Sequence, residues 1–353
     1  MAKKVFVGLS GGVDSAVSAA LLKSQGYDVV GVFIKIWQPE FIECTWKEDR
    51  LDAMRVAAAL EIPFREVDLS EEYKEKVIKD MLAKYAKGIT PNPDVLCNQH
   101  IKFGDFAAWA FKNGADKIAT GHYARVAEEN GKHLLLRGAD ADKDQSYFLH
   151  SIDGAVLSRT VFPIGDKKKS EVRSLARRFQ LPNAERPDSQ GLCFVGDITL
   201  KEFLGRFITI APGSVLDMTG KVIGSHDGAA LYTVGQRHGF SIQTSKGESE
   251  VHYVVEVNAA TNTLKVSEDK RDAAIESVFL EPIHWIGGVP STPFEADVEV
   301  RYHATPVRAR IEVLERGLRV LFKEPQIVSP GQSLVIYNGE KGEQCFGGGI
   351  MRF

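Results

Sequence analysis

Cysteine is scarce in this chain. Its 353 residues hold 4, at Cys44, Cys97, Cys193 and Cys345, and no two are spaced as in a Cys-x-x-Cys zinc or dithiol motif. Taken singly, such a cysteine in a reducing compartment reads as a small buried hydrophobe. Long hydrophobic runs are also missing. The stretch 29–34 is among the longest, far below the roughly 18 residues that a membrane span needs. Met1-Ala2-Lys3-Lys4 leads directly into Val5-Phe6-Val7, without a long apolar region or a cleavage site. No signal peptide is read there, and a cytoplasmic protein with no membrane partner is expected. Neither internal repeats nor low-complexity segments nor coiled-coil heptads occur. A large charge excess is absent too: the formal net charge is −3, which excludes a surface coated by nucleic acid but leaves room for a local basic face. One such window carries Arg159, Lys167, Lys168, Lys169, Arg173, Arg177 and Arg178 against Asp166 and Glu171.

What is present is the pattern of a large globular protein. The length exceeds one ordinary core, so two or three domains are expected. Up to about residue 205, strand-like and helix-like stretches alternate. The mostly apolar runs 5–9 and 27–34 read as strands, the second of them buried, and 64–68 and 117–120 read as two further strands. Between them, 15–25, 49–60, 71–85 and 101–111 have helical spacing, and Gly26 stands where a helix stop belongs. That order predicts an α/β domain with a parallel sheet and helices on both faces. Beyond it come short β-runs and glycine turns: 214–217, 221–224, 251–258, 263–267, then 294–302, 307–314, 318–322 and 333–337. These predict two small, mostly-β domains. The expected division is 1–205, 206–274 and 275–353.

Chemistry enters with Gly8-Leu9-Ser10-Gly11-Gly12-Val13-Asp14-Ser15, between the first strand and the first helix. Adjacent glycines let backbone N–H groups approach a pyrophosphate without a Cβ in the way. Ser10 and Ser15 hydroxyls can donate to phosphate oxygens, and the helix N-terminus adds its dipole. Asp14 is a candidate either for holding Mg²⁺ or for shaping the loop. No Gly-Lys-Ser/Thr follows, so this is not a Walker A loop, and the dinucleotide fingerprint spacing is absent. The string resembles the loop of enzymes that split ATP into AMP and pyrophosphate to adenylate a carbonyl oxygen.

Two cysteines have unusual surroundings. Cys97 follows Thr90-Pro91-Asn92-Pro93-Asp94-Val95-Leu96, a proline-stiffened loop entering a helix, where the dipole would favour a thiolate. Cys193 lies in the polar, glycine-containing run Asp188-Ser189-Gln190-Gly191-Leu192-Cys193-Phe194, of the kind that can carry a thiol between partners. With Ala119-Thr120-Gly121-His122-Tyr123-Ala124-Arg125, Lys143-Asp144-Gln145-Ser146-Tyr147-Phe148, Tyr232-Thr233-Val234-Gly235-Gln236-Arg237, Arg301-Tyr302 and Ser329-Pro330-Gly331-Gln332, these motifs make almost the whole chain resemble the tRNA-specific 2-thiouridylases.

That resemblance implies a PP-loop domain related to the adenine nucleotide alpha hydrolases, followed by the β-domains, the last of them a tRNA-binding β-barrel. It implies ATP as substrate, with Mg²⁺, at Gly8 through Ser15, Ile34 and Gly121. Ile34 stands where the family often has methionine, so a backbone contact is expected there. The resemblance places Asn92, Pro93 and Asp94 against the target base, with Asp94 as candidate acid/base. It implies tRNA contacts at His122, Lys143, Asp144, Gln145, Arg301, Tyr302 and Gln332. Cys193 would carry a persulfide from a donor protein and Cys97 would be its partner, while Cys44 and Cys345 are read as structural. The implied reaction is 2-thiolation of the wobble uridine in the anticodon arm of Gln, Lys and Glu tRNAs. Two other readings stay open at this point: a different adenylating ligase of the lysidine-synthetase kind, and a non-catalytic RNA-binding module. The metal ligands are not assigned.

Overall fold

The computed structural model describes residues 2–42, 46–188, 198–243, 251–338 and 342–352. Along the first part run β1 (Lys4–Gly8), β2 (Asp28–Lys35), β3 (Phe64–Asp68), β4 (Lys117–Ala119), β5 (Ala124–Glu129), β6 (Lys132–Arg137) and the short β7 (Thr160–Val161). One sheet has the order β3-β2-β1-β4-β7, and every pair in it is parallel. Side chains alternate between its faces. Val5, Val7, Val29 and Phe33 enter one core, with the helices Val13–Ser24, Trp46–Ala59 and Lys169–Arg178. Phe6, Val30 and Val32 enter the other, with the helical stretches at 70–85 and 93–112. Both faces are covered, as the apolar runs of β1 and β2 require.

The first helix stops as its sequence predicts. Gly26 adopts φ +84, and the Tyr27 N–H reaches back to Leu22 O at 3.2 Å, the long bond of a glycine-terminated helix. From β1 the chain builds outward to β3, then crosses to β1's other side to form β4. Strand order therefore reverses beside β1, and the crevice beyond the C-terminal ends of β1 and β4 is where such sheets bind ligands.

A second unit is the sheet β10-β9-β8-β12-β11, made of β8 (Gly213–Leu216), β9 (Val222–His226), β10 (Phe240–Ile242), β11 (Tyr253–Asn258) and β12 (Thr263–Ser267). It packs around Val215, Tyr232, Val254 and Leu264. The third unit comprises β13 (Ala274–Trp285), β14 (Phe294–Glu299), β15 (Val307–Val313), β16 (Leu318–Ile327), β17 (Ser333–Asn338) and β18 (Gln344–Arg352). They are neighbours in the order β13-β16-β15-β14-β17-β18, and β18 pairs back with β13. This closes a six-stranded barrel and removes its free edges. The fold is thus the expected one: a parallel α/β sheet followed by two β-units. No helix among the described residues is long and apolar enough to cross a membrane.

One element joins units that the sequence separates. The hairpin β5–β6 turns at Asn130 (φ 52) and Gly131 (φ 73), the left-handed pair of a tight two-residue turn. Its second strand pairs with β18, Leu135 opposite Cys345 and Leu136 opposite Gln344. Arg137, at its end, bonds Asp144 at 2.9 Å and Glu299 at 2.6 Å. Its guanidinium lies 3.5 Å from the Tyr337 ring centre. Both carboxylates are buried, and burial lifts the pKa of Glu299 against the pull of Arg137. Replacing Arg137 by Met would strand two carboxylates in the interior. A loss of about 3–5 kcal/mol is expected, read as a lower urea midpoint for the barrel.

Candidate active site

The crevice beyond β1 and β4 is built from the phosphate loop upward. Leu9 and Val13 are buried, so their side chains anchor the loop and only their backbone faces the crevice. Ser15 Oγ accepts from the Ser10 N–H at 3.2 Å and donates to Gly12 O at 3.1 Å. Gly12 is the N-cap residue of the helix, and no side chain caps that first turn. The amides which a capping Ser or Asp would take are thus left for an anion. Gly11 has φ +78, and a Cβ there would lie 2.6 Å from Asp49 O, so glycine is required on two counts. Behind the loop, Asn183 Nδ2 donates to Gly11 O at 2.7 Å. Arg186 ties the same region to Asp49 and Asp52. The Ile34 side chain packs beside Gly8, its Cδ1 3.5 Å from where a Cβ of Gly8 would stand.

Asp14 sets the loop's other side. Its carboxylate accepts from the Tyr123 hydroxyl at 2.9 Å, and both its oxygens lie 2.9 Å from Lys169 Nζ. Burial, and then the charge of Asp14, push the Tyr123 pKa far up. Tyr123 therefore stays a hydrogen-bond donor.

The turn after β4 links this loop to the cysteine-bearing helix. A Cβ on Gly121 would stand 2.6 Å from Ser15 N and 2.7 Å from Asp14 C, so two backbones touch there. The next residue, His122, is buried. Its Nδ1 is 2.7 Å from Thr120 Oγ1 and its Nε2 is 3.5 Å from Lys102 Nζ. An ammonium only donates, so Nε2 accepts and the ring proton sits on Nδ1, facing Thr120. Burial and then Lys102 hold the His122 pKa well below its ordinary value, and the ring is neutral.

Lys102 stands on the same helical run as Cys97. That run starts at Pro93, with Asn92 as N-cap, its Oδ1 accepting from the Val95 N–H at 3.3 Å. Pro93 suits the first helical position, and Asp94 is in the first turn, where a carboxylate is favoured. Cys97 lies in the next turn and is buried. The helix dipole fades beyond the first turn, so the dipole argument for a Cys97 thiolate is weaker than the sequence led one to expect. From Cys97 to Asp105 the helix widens into π form, and Lys102 lies within that stretch. Burial raises the Asp94 pKa, and the charge of Lys102 opposes that rise.

The other predicted residues fall into three groups. Asp144 and His122 are buried. Asp144 accepts from the Gly138 N–H at 2.8 Å, the Ser146 hydroxyl at 2.8 Å and Arg137, so these two side chains serve the protein interior. Gln145 and Gln332 hold main chain. Gln145 Oε1 accepts from the Tyr123 N–H at 3.0 Å, and Gln332 Nε2 donates to Thr90 O at 2.9 Å and Pro91 O at 3.0 Å. Arg301 is exposed, Tyr302 is half-buried against Phe148 with ring centres 4.3 Å apart, and Lys143 lies 3.3 Å from Asp188. Burial and then Asp144, Glu299 and Asp94 push the Tyr302 pKa up to about 12. Cys193 and Cys44 lie outside the described residues. Cys345 is buried, and burial pushes its thiol up to about 12.

Comparison with known proteins gives the chain its place. Residues 3–197 match the family described as the tRNA methyl transferase HUP domain. Residues 201–268 match its PRC-barrel domain, and 275–351 the aminomethyltransferase beta-barrel domain. The tRNA-specific 2-thiouridylase MnmA of Nitrosomonas eutropha is 44% identical over 99% of this chain and 98% of its own length. Those of Stenotrophomonas maltophilia and Thiobacillus denitrificans are each 45% identical over 99% of this chain, and over 93% and 100% of their own lengths. The chain belongs to the tRNA-specific 2-thiouridylase family.

Against that family background, the geometry adds residues that sequence reading missed. Tyr123 and Lys169 hold Asp14, Asn183 and Arg186 hold Gly11, and Lys102 stands between Asp94 and His122. Two of them had a signal: Tyr123 stands in the run Ala119–Arg125, and Lys169 in the basic window from Arg159 to Arg178. Gly121→Ala tests the backbone contact. It forces the turn off the Ser15 amide at a cost of about 1–3 kcal/mol. Nucleotide affinity, measured by calorimetry, is expected to fall about tenfold.

Proposed function

We propose that the chain 2-thiolates tRNA. ATP adenylates the 2-oxygen of a wobble uridine, and sulfur from a persulfide on Cys193 then replaces that oxygen. The observation that carries this reading is the step Gly121–His122. One residue touches the phosphate loop and the next meets Lys102, on the helix of Asp94 and Cys97. Activation and sulfur chemistry share one crevice.

A uridine 2-carbonyl is a weak electrophile with a very poor leaving group. Asp94 takes the N3 proton as the 2-oxygen attacks the α-phosphate, and pyrophosphate leaves into the amides of the loop. The Cys193 persulfide, losing its proton, attacks C2 and expels AMP. The Cys97 thiolate then attacks the Cys193 sulfur, leaving the thiocarbonyl on the base and a Cys97–Cys193 disulfide. The same disulfide results if Cys97 first releases sulfide from the persulfide. Each turnover therefore consumes one persulfide from a donor protein and needs an external thiol to reopen the disulfide. The base must leave its stack to enter. Residues 206–274 and 275–353 are assigned to gripping the anticodon arm of Gln, Lys and Glu tRNAs, with exposed Arg301 on the backbone and Tyr302 on a base.

For Mg²⁺, the described residues hold no group of three or more His, Cys, Asp and Glu side chains placed to bind a metal ion together. The ion usually takes one or two carboxylates with phosphates and water. Asp14 and Asp188, which share Lys169, fit that need and would hold it on the triphosphate, where it neutralises charge on the departing pyrophosphate. An amide-forming ligase would leave the cysteines idle, and the full-length relatives carry a thiolation name.

The decisive assay is mass spectrometry of tRNA after incubation with ATP, Mg²⁺ and a persulfide donor, where the oxygen-to-sulfur mass gain is expected. Cys97→Ser and Cys193→Ser are each expected to abolish that gain while tRNA binding, by filter retention, changes little. Full activity in either would remove the two-cysteine scheme. Lys102→Met removes the charge that holds the Asp94 pKa down. The acid limb of the kcat/KM profile is then expected at higher pH, because Asp94 must be ionised to take the proton.

A further inference from the structure

Three lysines of the helical stretches beside β3 and β1 have carboxylate partners: Lys76, Lys79 and Lys84 each lie within 2.7 Å of one. Lys102 differs. Among the described residues its ammonium forms no ion pair, and it meets His122 Nε2 at 3.5 Å. That ring is neutral, so it holds the ammonium without cancelling its charge. The ring is itself fixed. Its Nδ1 is 2.7 Å from Thr120 Oγ1, and Phe103 and Phe162 stand against it with ring centres 5.8 and 6.1 Å away. Lys102 is half-buried, and a partly desolvated cation without a counter-ion favours the arrival of an anion. Its position selects which one. On one side His122 follows Gly121, where a Cβ would stand 2.6 Å from the Ser15 N–H of the phosphate loop. On the other is Asp94, close enough to feel the charge of Lys102, on the segment assigned to the target base. Between a phosphate loop and the base it activates lies the α-phosphate.

We propose that Lys102 is a catalytic residue, whose ammonium pairs with a non-bridging oxygen of the α-phosphate through adenylation and stays with AMP as it leaves. This rests on the adenylation reading above. In the first step the 2-oxygen bonds to phosphorus, the bond to the pyrophosphate oxygen breaks with its electron pair, and Asp94 takes the N3 proton. In the second the persulfide sulfur bonds to C2, and the bond from C2 to oxygen breaks with its pair on oxygen. The phosphate thereby passes from a diester with one negative charge to AMP with two. Lys102 offsets the added charge and so makes AMP a better leaving group. The bond to His122 is long for a hydrogen bond, so the ammonium can turn to a phosphate oxygen at little cost. A compact ammonium with freely rotating donors can follow that oxygen as the phosphate inverts.

Lys102→Met also moves the acid limb through Asp94, so the test reads the rate above that limb, where Asp94 is ionised with or without Lys102. Single-turnover thiolation of tRNA is followed with the full-length protein, saturating ATP, Mg²⁺ and a persulfide donor. On that plateau Lys102→Met is expected to run about 100-fold slower. Lys102→Arg keeps the charge and is expected to recover about tenfold of the loss. Affinity for ATP alone, by calorimetry, is expected to fall less than about threefold in Lys102→Met, because the contact strengthens only as charge develops. A plateau equal to that of the unaltered protein would overturn the assignment and leave Lys102 as a group that tunes Asp94. A loss of ATP affinity as large as the loss of rate would overturn it too, since that marks a structural role. If the unaltered protein releases no AMP in the presence of tRNA, the adenylation reading fails and this assignment falls with it. If it releases AMP and Lys102→Met does so at the same plateau rate, only the assignment falls.

Discussion

Everything in the crevice depends on a close approach of two backbones. The turn after β4 lies against the first residues of the helix that follows β1, with no room for a Cβ on Gly121. Strand order reverses beside β1, so the two connections diverge and leave a cleft at their ends. Gly121 closes the base of that cleft. Because it also fixes where His122 and Tyr123 point, one contact sets both the Asp14 pair and the Lys102 pair.

The β-units act on the same place from the other side. The segment leading to Asn92, Pro93 and Asp94 is held by three partners. Thr90 Oγ1 meets Thr233 Oγ1 of the central unit at 2.8 Å, the Thr90 N–H donates to Pro330 O at 3.2 Å, and Gln332 donates to the carbonyls of Thr90 and Pro91. A Cβ on Gly331 would stand 2.3 Å from Ile89, so the barrel's Ser-Pro-Gly-Gln turn is pressed onto this segment. The barrel and the central unit therefore fix this segment through direct contacts, with no relay through the sheet.

Charge is handled differently in the two regions. Around Arg137 the ions are buried and mutually satisfied, and they fasten the hairpin to the barrel. Around Asp14 and Asp188 they are half-open, and each carboxylate has more than one donor. The first arrangement is expensive to break, while the second can trade a partner for a ligand. Asp94 lies between these cases, half-buried with Lys102 as the opposing charge.

The sequence alone determined the architecture, because strands buried on both faces must be continuously apolar and a phosphate loop needs its glycines wherever it occurs. Residues 64–68 and 263–267 were legible to the residue. Loop 8–15, Asp94 and Cys97 were legible as local strings. Tertiary structure alone decided which side chains face in. His122, Asp144 and Gln332 stand in motifs that look like RNA contacts, yet two are buried and the third bonds main chain 241 and 242 residues away. The hairpin β5–β6 shows the same limit: Asn130-Gly131 announces its turn, but no local pattern says that its second strand will complete a sheet more than two hundred residues further on. Lys169 reads as one member of a charge run, and it becomes a partner of the phosphate loop only because folding brings it to Asp14, 155 residues earlier. Burial and long-range pairing are properties of the packed chain, and a linear string of residues does not carry them.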